Sequence, residues 1–312
     1  MTPDLEISFE HGLLSRVTDK LCLEESYSSV YHRTNHDVPM PSRERLGRAV
    51  ELLRSVLFPG YYDHSHLNIE TMKYYTGSTL DEIAHILAVE IKRGFCFACA
   101  EELSISCTDC NTQAVSITRD FIDRLPEIRK LLAQDVIAAW EGDPAAKTPG
   151  EAIFCYPSIH AMTNHRIAHE LYKLDVPLIP RLISELAHSK TGIDIHPGAT
   201  IGPRFFMDHG TGIVIGETSV IGTGVRIYQG VTLGARSFPL DAEGNPIKGI
   251  LRHPVVENNV IIYSGATILG RVTIGENAVI GGNVWITRDV KKDEKVLQAQ
   301  PSHRGFMDGD GI

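Results

Sequence analysis

A six-residue repeat of aliphatic side chains is the feature of this sequence that most restricts its fold. From residue 195 onward an aliphatic residue stands at every sixth position, with one eight-residue step and one long gap. The positions are Ile195, Ile201, Met207, Ile215, Ile221, Ile227 and Leu233, then Val256, Ile262, Ile268, Ile274, Ile280 and Ile286. A helix over this region would carry a glycine in nearly every second turn, at about 1 kcal/mol each. The repeat therefore favours short strands.

A second series of small or β-branched residues supports the strand interpretation. Its members follow most of the first series by four positions, so that pairs such as Val260 and Ile262 stand two residues apart and share one face of a strand. They are Ala199, Thr211, Ser219, Val225, Val231, Val260, Ala266, Val272, Ala278, Val284 and Val290. Such short strands cannot bury a face alone, so we expect residues 191–293 to stack as coils of a parallel β-helix. The spacing does not determine the hand of that helix.

One long interruption breaks the repeat at residues 235–254, and it predicts an excursion loop that leaves the β-helix. A loop of this length is unusual in a compact domain and is often functional.

The part before the repeat, residues 1–190, has the apolar spacing of a helical bundle. The pattern predicts a helix over Arg43–Leu57, a helix that starts near Thr79, one that starts at Pro126 and one over residues 157–174. The fold class expected is therefore α + β, with a helical domain first, the β-helix second and a flexible tail over residues 294–312.

Composition excludes two classes of function. The formal charge of −9 disfavours nucleic-acid binding, which needs a basic face. No apolar run approaches the roughly 18 residues of a membrane span, and the N-terminal residues lack the pattern of a signal peptide. We therefore expect a soluble, cytoplasmic protein whose six cysteines are reduced thiols.

Three histidines stand at predicted corners of the β-helix: His196, His209 and His253. Histidine is a suitable base for removing a hydroxyl proton near neutral pH, and a carboxylate on its second nitrogen orients it. Asp194 precedes His209 by a little less than one eighteen-residue coil, so adjacent coils can bring them together. A single corner histidine is more often a solvated side chain, but Asp208 and Arg252 beside His209 and His253 favour a site.

Several motifs resemble those of serine O-acetyltransferases, within the hexapeptide-repeat acyltransferase family. They are TGIDIHP at residues 191–197, DHGTG at 208–212, IGET at 215–218, VTLG at 231–234, RHP at 252–254 and GDPA at 142–145. The resemblance covers about residues 135–290 and is more specific than the six-residue repeat alone. It implies a left-handed β-helix assembled as trimers, which many members pair into hexamers through the helical domains.

The activity implied is transfer of acetyl from acetyl-CoA to the hydroxyl of L-serine, which gives O-acetylserine for cysteine biosynthesis. The resemblance makes His209 the general base, Asp194 its orienting partner and His253 a catalytic neighbour of the hydroxyl. It gives the substrate ammonium to Asp143 and Asp208 and the carboxylate to Arg252, whose planar guanidinium suits bidentate binding. The matching CoA positions are Gly234, Ala235, Ser264 and Gly282. Ala235 departs from a glycine common in the family, and no metal is implied.

The resemblance also implies two partners besides the substrates. Cysteine is an expected feedback inhibitor, because it differs from serine only in sulfur for oxygen. The chain ends with an acidic, glycine-rich tail whose last residue is Ile312. A similar end in this family inserts into the active site of cysteine synthase, where a terminal carboxylate and one apolar side chain form a compact anchor.

Other interpretations stay open at this stage. A trimeric β-helix carbonic anhydrase, an acetyltransferase for another small amine or alcohol, and an inactive scaffold for cysteine synthase each explain part of the pattern. Two CxxC pairs are able to hold zinc or an iron–sulfur cluster, although free thiols are favoured. Their residues are Cys96, Cys99, Cys107 and Cys110. His165 and His169, with His160 nearby, have a spacing found in zinc sites, but packing roles are favoured.

Overall fold

The computed structural model describes residues 12–32, 38–62, 67–99 and 107–299. Within these residues nine α-helices precede a series of very short β-strands. The helices are α1 (Leu13–Leu21), α2 (Glu24–Tyr27), α3 (Arg43–Leu57), α4 (Ile69–Ala98), α5 (Cys107–Asp123), α6 (Leu125–Gly142), α7 (Pro149–Cys155), α8 (Pro157–Lys173) and α9 (Ile179–Thr191). The predicted helical N-terminal region is confirmed.

Local capping explains where the helices begin. The side chain of Ser42 accepts a hydrogen bond from the Arg45 amide at the start of α3, whose bounds match the prediction. The predicted start at Thr79 is wrong, because α4 begins ten residues earlier at Ile69 (79 − 69 = 10). There Asn68 and Thr71 form a reciprocal capping box that satisfies the free amides of the first turn.

Fourteen strands of the described part form a parallel β-helix of about five coils. The chain visits three sheets in turn. Sheet A contains β1 (Asp194–Ile195), β4 (Val214–Ile215), β7 (Thr232–Gly234), β10 (Thr267–Leu269) and β13 (Trp285–Ile286); sheet B contains β2 (Thr200–Ile201), β5 (Val220–Ile221), β8 (Val255–Val256) and β11 (Thr273–Ile274); sheet C contains β3 (Phe206–Asp208), β6 (Arg226–Tyr228), β9 (Ile261–Ile262), β12 (Val279–Ile280) and β14 (Lys295–Val296). The predicted class of fold is confirmed.

Strand register shows the repeat length, the two places where residues are inserted and a shorter last coil, in which Val279 pairs with Lys295 across sixteen residues (295 − 279 = 16). Val214 pairs with Thr232, eighteen residues on (232 − 214 = 18), which is three hexads. Asp194 pairs with Val214 across twenty residues (214 − 194 = 20), so two extra residues enter the first coil near His209. Thr232 pairs with Thr267 across thirty-five residues (267 − 232 = 35), so the predicted excursion loop adds seventeen residues to the regular eighteen.

The core of the β-helix is the aliphatic ladder read from the sequence. All thirteen members of the first series are buried, with at most 7% of their surface exposed. Thr211, a member of the second series, is exposed and lies outside this core. The two extra residues of the first coil move the turn, so that Ile213 takes the inward position two residues before Ile215.

A buried ion pair joins the helical domain to the β-helix. Asp135 of α6 accepts hydrogen bonds from Nε and Nη2 of Arg166 in α8, at 2.7 and 3.0 Å. The same guanidinium donates to the carbonyls of Ile201 and Gly202, while the Phe205 amide donates to Asp135. Burial raises the pKa of the Asp135 carboxyl, and Arg166 opposes that rise. Both charges thus depend on contacts across the domain junction.

We expect Asp135→Asn to destabilise the protein strongly. The amide leaves the buried Arg166 without its counter-charge, and breaking a buried pair in this way costs about 3–5 kcal/mol in the free energy of unfolding. Urea denaturation followed by circular dichroism measures the change. The matched control is Glu141→Gln, which removes an exposed ion pair with Arg204 and should change stability by less than about 1 kcal/mol. Equal, small effects of both substitutions would contradict a stabilising role for the junction.

Candidate active site

The predicted site residues lie at two corners of the β-helix. We call the turn between sheets C and A the CA corner, and the turn between sheets A and B the AB corner. Asp208 and His209 lie at the CA corner, whereas Arg252 and His253 precede β8 at the AB corner. One face of sheet A separates the corners by roughly 15–20 Å, because its six residues rise ~3.3 Å each. One chain therefore presents two half-sites.

The half-site at the CA corner combines the β-helix with the helical domain. Asp208 ends β3, and His209 follows it with a left-handed backbone (φ 57°) that turns its side chain outward, 74% exposed. Gly210 follows with φ 89°, and any Cβ there would meet Ile193. Asp143, just beyond α6, completes the half-site together with Tyr156. A cavity of about 340 Å³ lies between these residues.

Hydrogen bonding favours the anionic form of Asp143. The Tyr156 hydroxyl donates to Asp143 Oδ2, and the Ala145 amide donates to Oδ1 at 2.8 Å. The Tyr156 hydrogen bond is the main cause of the lowered pKa of Asp143. Burial, then the Asp143 carboxylate, raises the pKa of Tyr156, which therefore keeps its proton. Together with Asp208, the cavity presents two carboxyl groups and suits a small cation such as an ammonium group.

The half-site at the AB corner carries the positive charge. The Nη2 of Arg252 donates to Glu217 Oε2 at 2.6 Å, and the Tyr172 hydroxyl donates to Oε1 at 3.3 Å. His253 is 6% exposed and packs over Gly216, where a Cβ would overlap the imidazole ring. Burial, with help from the Arg252 cation, lowers the pKa of His253 to about 4. This half-site suits an anion such as a carboxylate, held by a guanidinium of fixed orientation.

Within the described part of the chain, Asp194 and His209 are not joined by a hydrogen bond or an ion pair. Asp194 begins β1 on sheet A, on the side of the CA corner, and its amide donates to the Ile213 carbonyl. The nearest charged partner of His209 is Asp208, with Nδ1 to Oδ1 at 3.8 Å. The orienting role of Asp194 therefore stays a prediction.

The four predicted CoA positions divide between the same two corners. Ser264 follows β9 at the CA corner, and Gly282 stacks against it one coil later, where a Cβ would lie 3.1 Å from the Ser264 carbonyl. Gly234 ends β7 at the AB corner and is followed by Ala235. The four positions therefore lie on two corners, as the residues of the two half-sites do. One ligand that contacted all four positions would have to span both corners.

Sequence reasoning missed three residues that the structure brings into these half-sites: Tyr156, Glu217 and Thr218. Glu217 and Thr218 belong to the IGET motif at residues 215–218, which was identified by its resemblance but was given no residue roles. Tyr156 stands before Pro157 at the start of α8, and nothing in its local sequence marks it as a partner of Asp143.

The cysteine and histidine clusters considered as alternative metal sites belong to the helical domain. Cys96, Cys99 and Cys110 are buried together, with 3.8 Å between the Sγ atoms of Cys99 and Cys110, while the Cys107 side chain lies outside the described part. His165 is buried and stacks on His169. Among the described residues no group of three or more potential ligands is arranged to hold a metal ion. Nor does any helix there have the length and apolarity to cross a membrane.

Comparison with known proteins gives consistent results. The family described as bacterial transferase hexapeptide (six repeats) matches residues 253–288. The plasmid serine acetyltransferase of Synechococcus elongatus is 51% identical over 276 residues, which cover 88% of this chain and 86% of that protein. The serine acetyltransferase of Mycobacterium tuberculosis is 45% identical over 56% of this chain and 76% of its own length.

Two solved structures share the fold over most of their length. Serine acetyltransferase isoform 3 of Entamoeba histolytica, in complex with cysteine, aligns with a TM-score of 0.70 and 33% identity over 96% of both chains. Serine acetyltransferase 1 of the same organism, in complex with L-cysteine, has a TM-score of 0.69 and 34% identity, over 89% of this chain and 94% of that one.

Proposed function

The chain belongs to the serine acetyltransferase family, and we propose that it builds each active site from two neighbouring copies of itself. As in its relatives, the fold is a hexapeptide-repeat left-handed β-helix, and the activity is O-acetylation of serine. These relatives disfavour a carbonic anhydrase, an inactive scaffold and an acetyltransferase for another amine or alcohol. The observation that carries the proposal is the division of the site residues between the CA and AB corners.

A closed trimer with sheet A on the inside would join the two half-sites. Sheet A has one corner at each edge, so a three-fold axis facing it brings the CA corner of one subunit to the AB corner of the next. Such a head-to-tail contact is heterologous and closes as a ring. Sheet A also exposes apolar side chains that this contact would cover, Val214 at 38% and Trp285 at 68% exposure.

Serine would then lie between opposite charges. Its ammonium group would contact Asp143 and Asp208 of one subunit, and its carboxylate would bind Arg252 of the next. Because Glu217 already holds one edge of that guanidinium, the orientation of Arg252 is set before serine arrives. The opposite charges of the joined half-sites favour binding of a zwitterion and disfavour binding of a simple amine or a simple acid.

The reaction would use His209 as general base. Its exposed ring would accept the proton of the serine hydroxyl as the oxygen attacks the thioester carbonyl carbon of acetyl-CoA. The carbon–sulfur bond then breaks, and the CoA thiolate takes the proton from His209. Asp194 would orient the ring, and His253 would contact a serine oxygen from the neighbouring subunit.

Acetyl-CoA would bind along the same interface. Ser264 and Gly282 lie above Asp208 on the CA corner, and Gly234 and Ala235 lie on the AB corner, so the co-substrate would contact both subunits. Small residues at all four positions leave backbone groups accessible to an elongated ligand.

Complementation between two damaged subunits tests the shared site. His209→Ala removes the base from the CA corner, and Arg252→Ala removes the cation from the AB corner. Each alone should lower kcat/KM for serine by roughly 10²- to 10⁴-fold. When both variants are co-expressed in equal amounts, roughly a quarter of the interfaces in a closed ring regain two intact halves. Thiol release from acetyl-CoA should recover in the same proportion.

The matched control combines two defects of one corner. Co-expression of His209→Ala with Asp143→Asn leaves every CA corner damaged, so no activity should return. Recovery in this control, or no recovery in the first mixture, would contradict a site shared in this way.

Light scattering gives a second test, of the trimer itself. Val214→Arg on sheet A should break the trimer, whereas Val220→Arg on sheet B, equally exposed at 37%, should not.

Cysteine should inhibit by competing with serine. It carries the same ammonium and carboxylate groups, and the two E. histolytica structures were solved with cysteine bound. Initial rates at several serine concentrations should give a competitive pattern. Arg252→Lys should weaken the binding of serine and of cysteine in parallel, since lysine lacks the fork geometry of the guanidinium. Inhibition that more serine does not relieve would place cysteine elsewhere.

The C-terminal tail is proposed to bind cysteine synthase. Residues 300–312, with Ile312 at the end, lie outside the described residues, so the proposal rests on sequence alone. Deletion of residues 310–312 should abolish binding to that enzyme in isothermal titration and leave serine acetylation unchanged. If the truncated and full-length proteins bind equally well, the tail has no such role.

A further inference from the structure

The hydroxyl of Thr218 is the centre of the hydrogen-bond network at the AB corner. It accepts from the backbone amides of Arg252 and His253, at 2.9 and 3.1 Å, and lies 2.9 Å from His253 Nδ1. Arg271 closes the network from the next coil, because its Nη1 donates to the carbonyls of Thr218 and His253, at 2.6 and 3.0 Å. The return of the long excursion loop is thus tied to one threonine.

This network determines which nitrogen of His253 carries the proton. The Thr218 backbone amide lies 3.1 Å from Nδ1 and can only donate, so Nδ1 must accept. The hydroxyl oxygen uses both lone pairs on the two amides, which leaves its own proton for Nδ1 as well. The proton of the neutral ring is therefore on Nε2.

His253 Nε2 is free to act on a ligand. Among the described residues Nε2 has no hydrogen-bond partner. The atom is not fully buried, so a ligand is able to reach it. The ring lies over Gly216, which follows the last residue of β4 on sheet A. That edge faces the proposed interface with the next subunit.

We propose that Thr218 is a positioning residue, which holds the Arg252–His253 turn in place and keeps His253 as a hydrogen-bond donor through Nε2 toward a serine oxygen. This inference rests on the proposed function, because it assumes that Arg252 and His253 contact serine. A donor at Nε2 cannot also remove a proton there, so the base is His209 alone. The low pKa of His253 agrees with a ring that stays neutral during turnover.

Two substitutions at position 218 separate the hydroxyl from the side-chain shape. Thr218→Val keeps the shape but leaves two amides of the turn without an acceptor, so kcat/KM for serine should fall roughly 10- to 100-fold while KM for acetyl-CoA stays the same. Thr218→Ser keeps the oxygen and should remain within roughly threefold of wild type. The control is Thr200→Val on strand β2, at an exposed position of sheet B, which should not change the kinetics.

The tautomer itself is measurable on the unmodified enzyme. In ¹⁵N-histidine-labelled protein, with His253→Gln to assign the signal, His253 should show a protonated Nε2 and a bare Nδ1 at neutral pH. A proton on Nδ1 would overturn the inference, even if Thr218→Val fails to fold. So would normal serine kinetics in Thr218→Val. If Arg252→Lys also leaves KM for serine unchanged, the proposed function fails with it; if Arg252→Lys raises KM, only the role of Thr218 fails.

Discussion

Parallel register between successive coils is the constraint on which the rest of this structure depends. Each two- or three-residue strand can bury its inward side chain only if the strands above and below place equivalent side chains beside it. That requirement gives the aliphatic ladder, and it also lines up the corners from coil to coil. Residues at a given place in the repeat therefore form columns along the outside of the β-helix. The CA and AB corners are two such columns, and both half-sites stand on them.

The two insertions into the regular coil lie beside the proposed chemistry. The two extra residues of the first coil accompany the left-handed turn that exposes His209. The seventeen extra residues of the excursion loop return to the β-helix at Arg252 and His253. A corner of a regular six-residue repeat is short, so few of its side chains reach outward. An insertion supplies them without disturbing the ladder beneath, because the inward positions resume in register at Ile215 and Val256.

The helical domain contributes more than an anchor. The Asp135–Arg166 pair fixes α6 and α8 against the second and third strands of the β-helix. That docking carries Asp143, at the end of α6, and Tyr156, before α8, to the CA corner. The negative half-site thus depends on a junction between domains, whereas the positive half-site is built almost wholly by the β-helix and its loop. In the proposed arrangement, an acetyl acceptor with both charges would contact the two kinds of corner together.

The sequence by itself determined a parallel β-helix, although not its hand, because short strands with a six-residue aliphatic period can bury their faces only by stacking as coils. All thirteen aliphatic positions of the first series are buried. It also pointed to His209, Arg252 and their neighbours through motifs that stand close together along the chain. It did not reveal Tyr156 beside Asp143 or Thr218 beside His253, since those contacts join residues that only docking and coil stacking bring together. It did not reveal that Thr211 lies outside the core, because one local insertion shifts a turn without changing the period on either side. Tertiary structure alone decided that the half-sites lie on separate corners, since the distance between corners follows from the width of sheet A and not from distance along the chain.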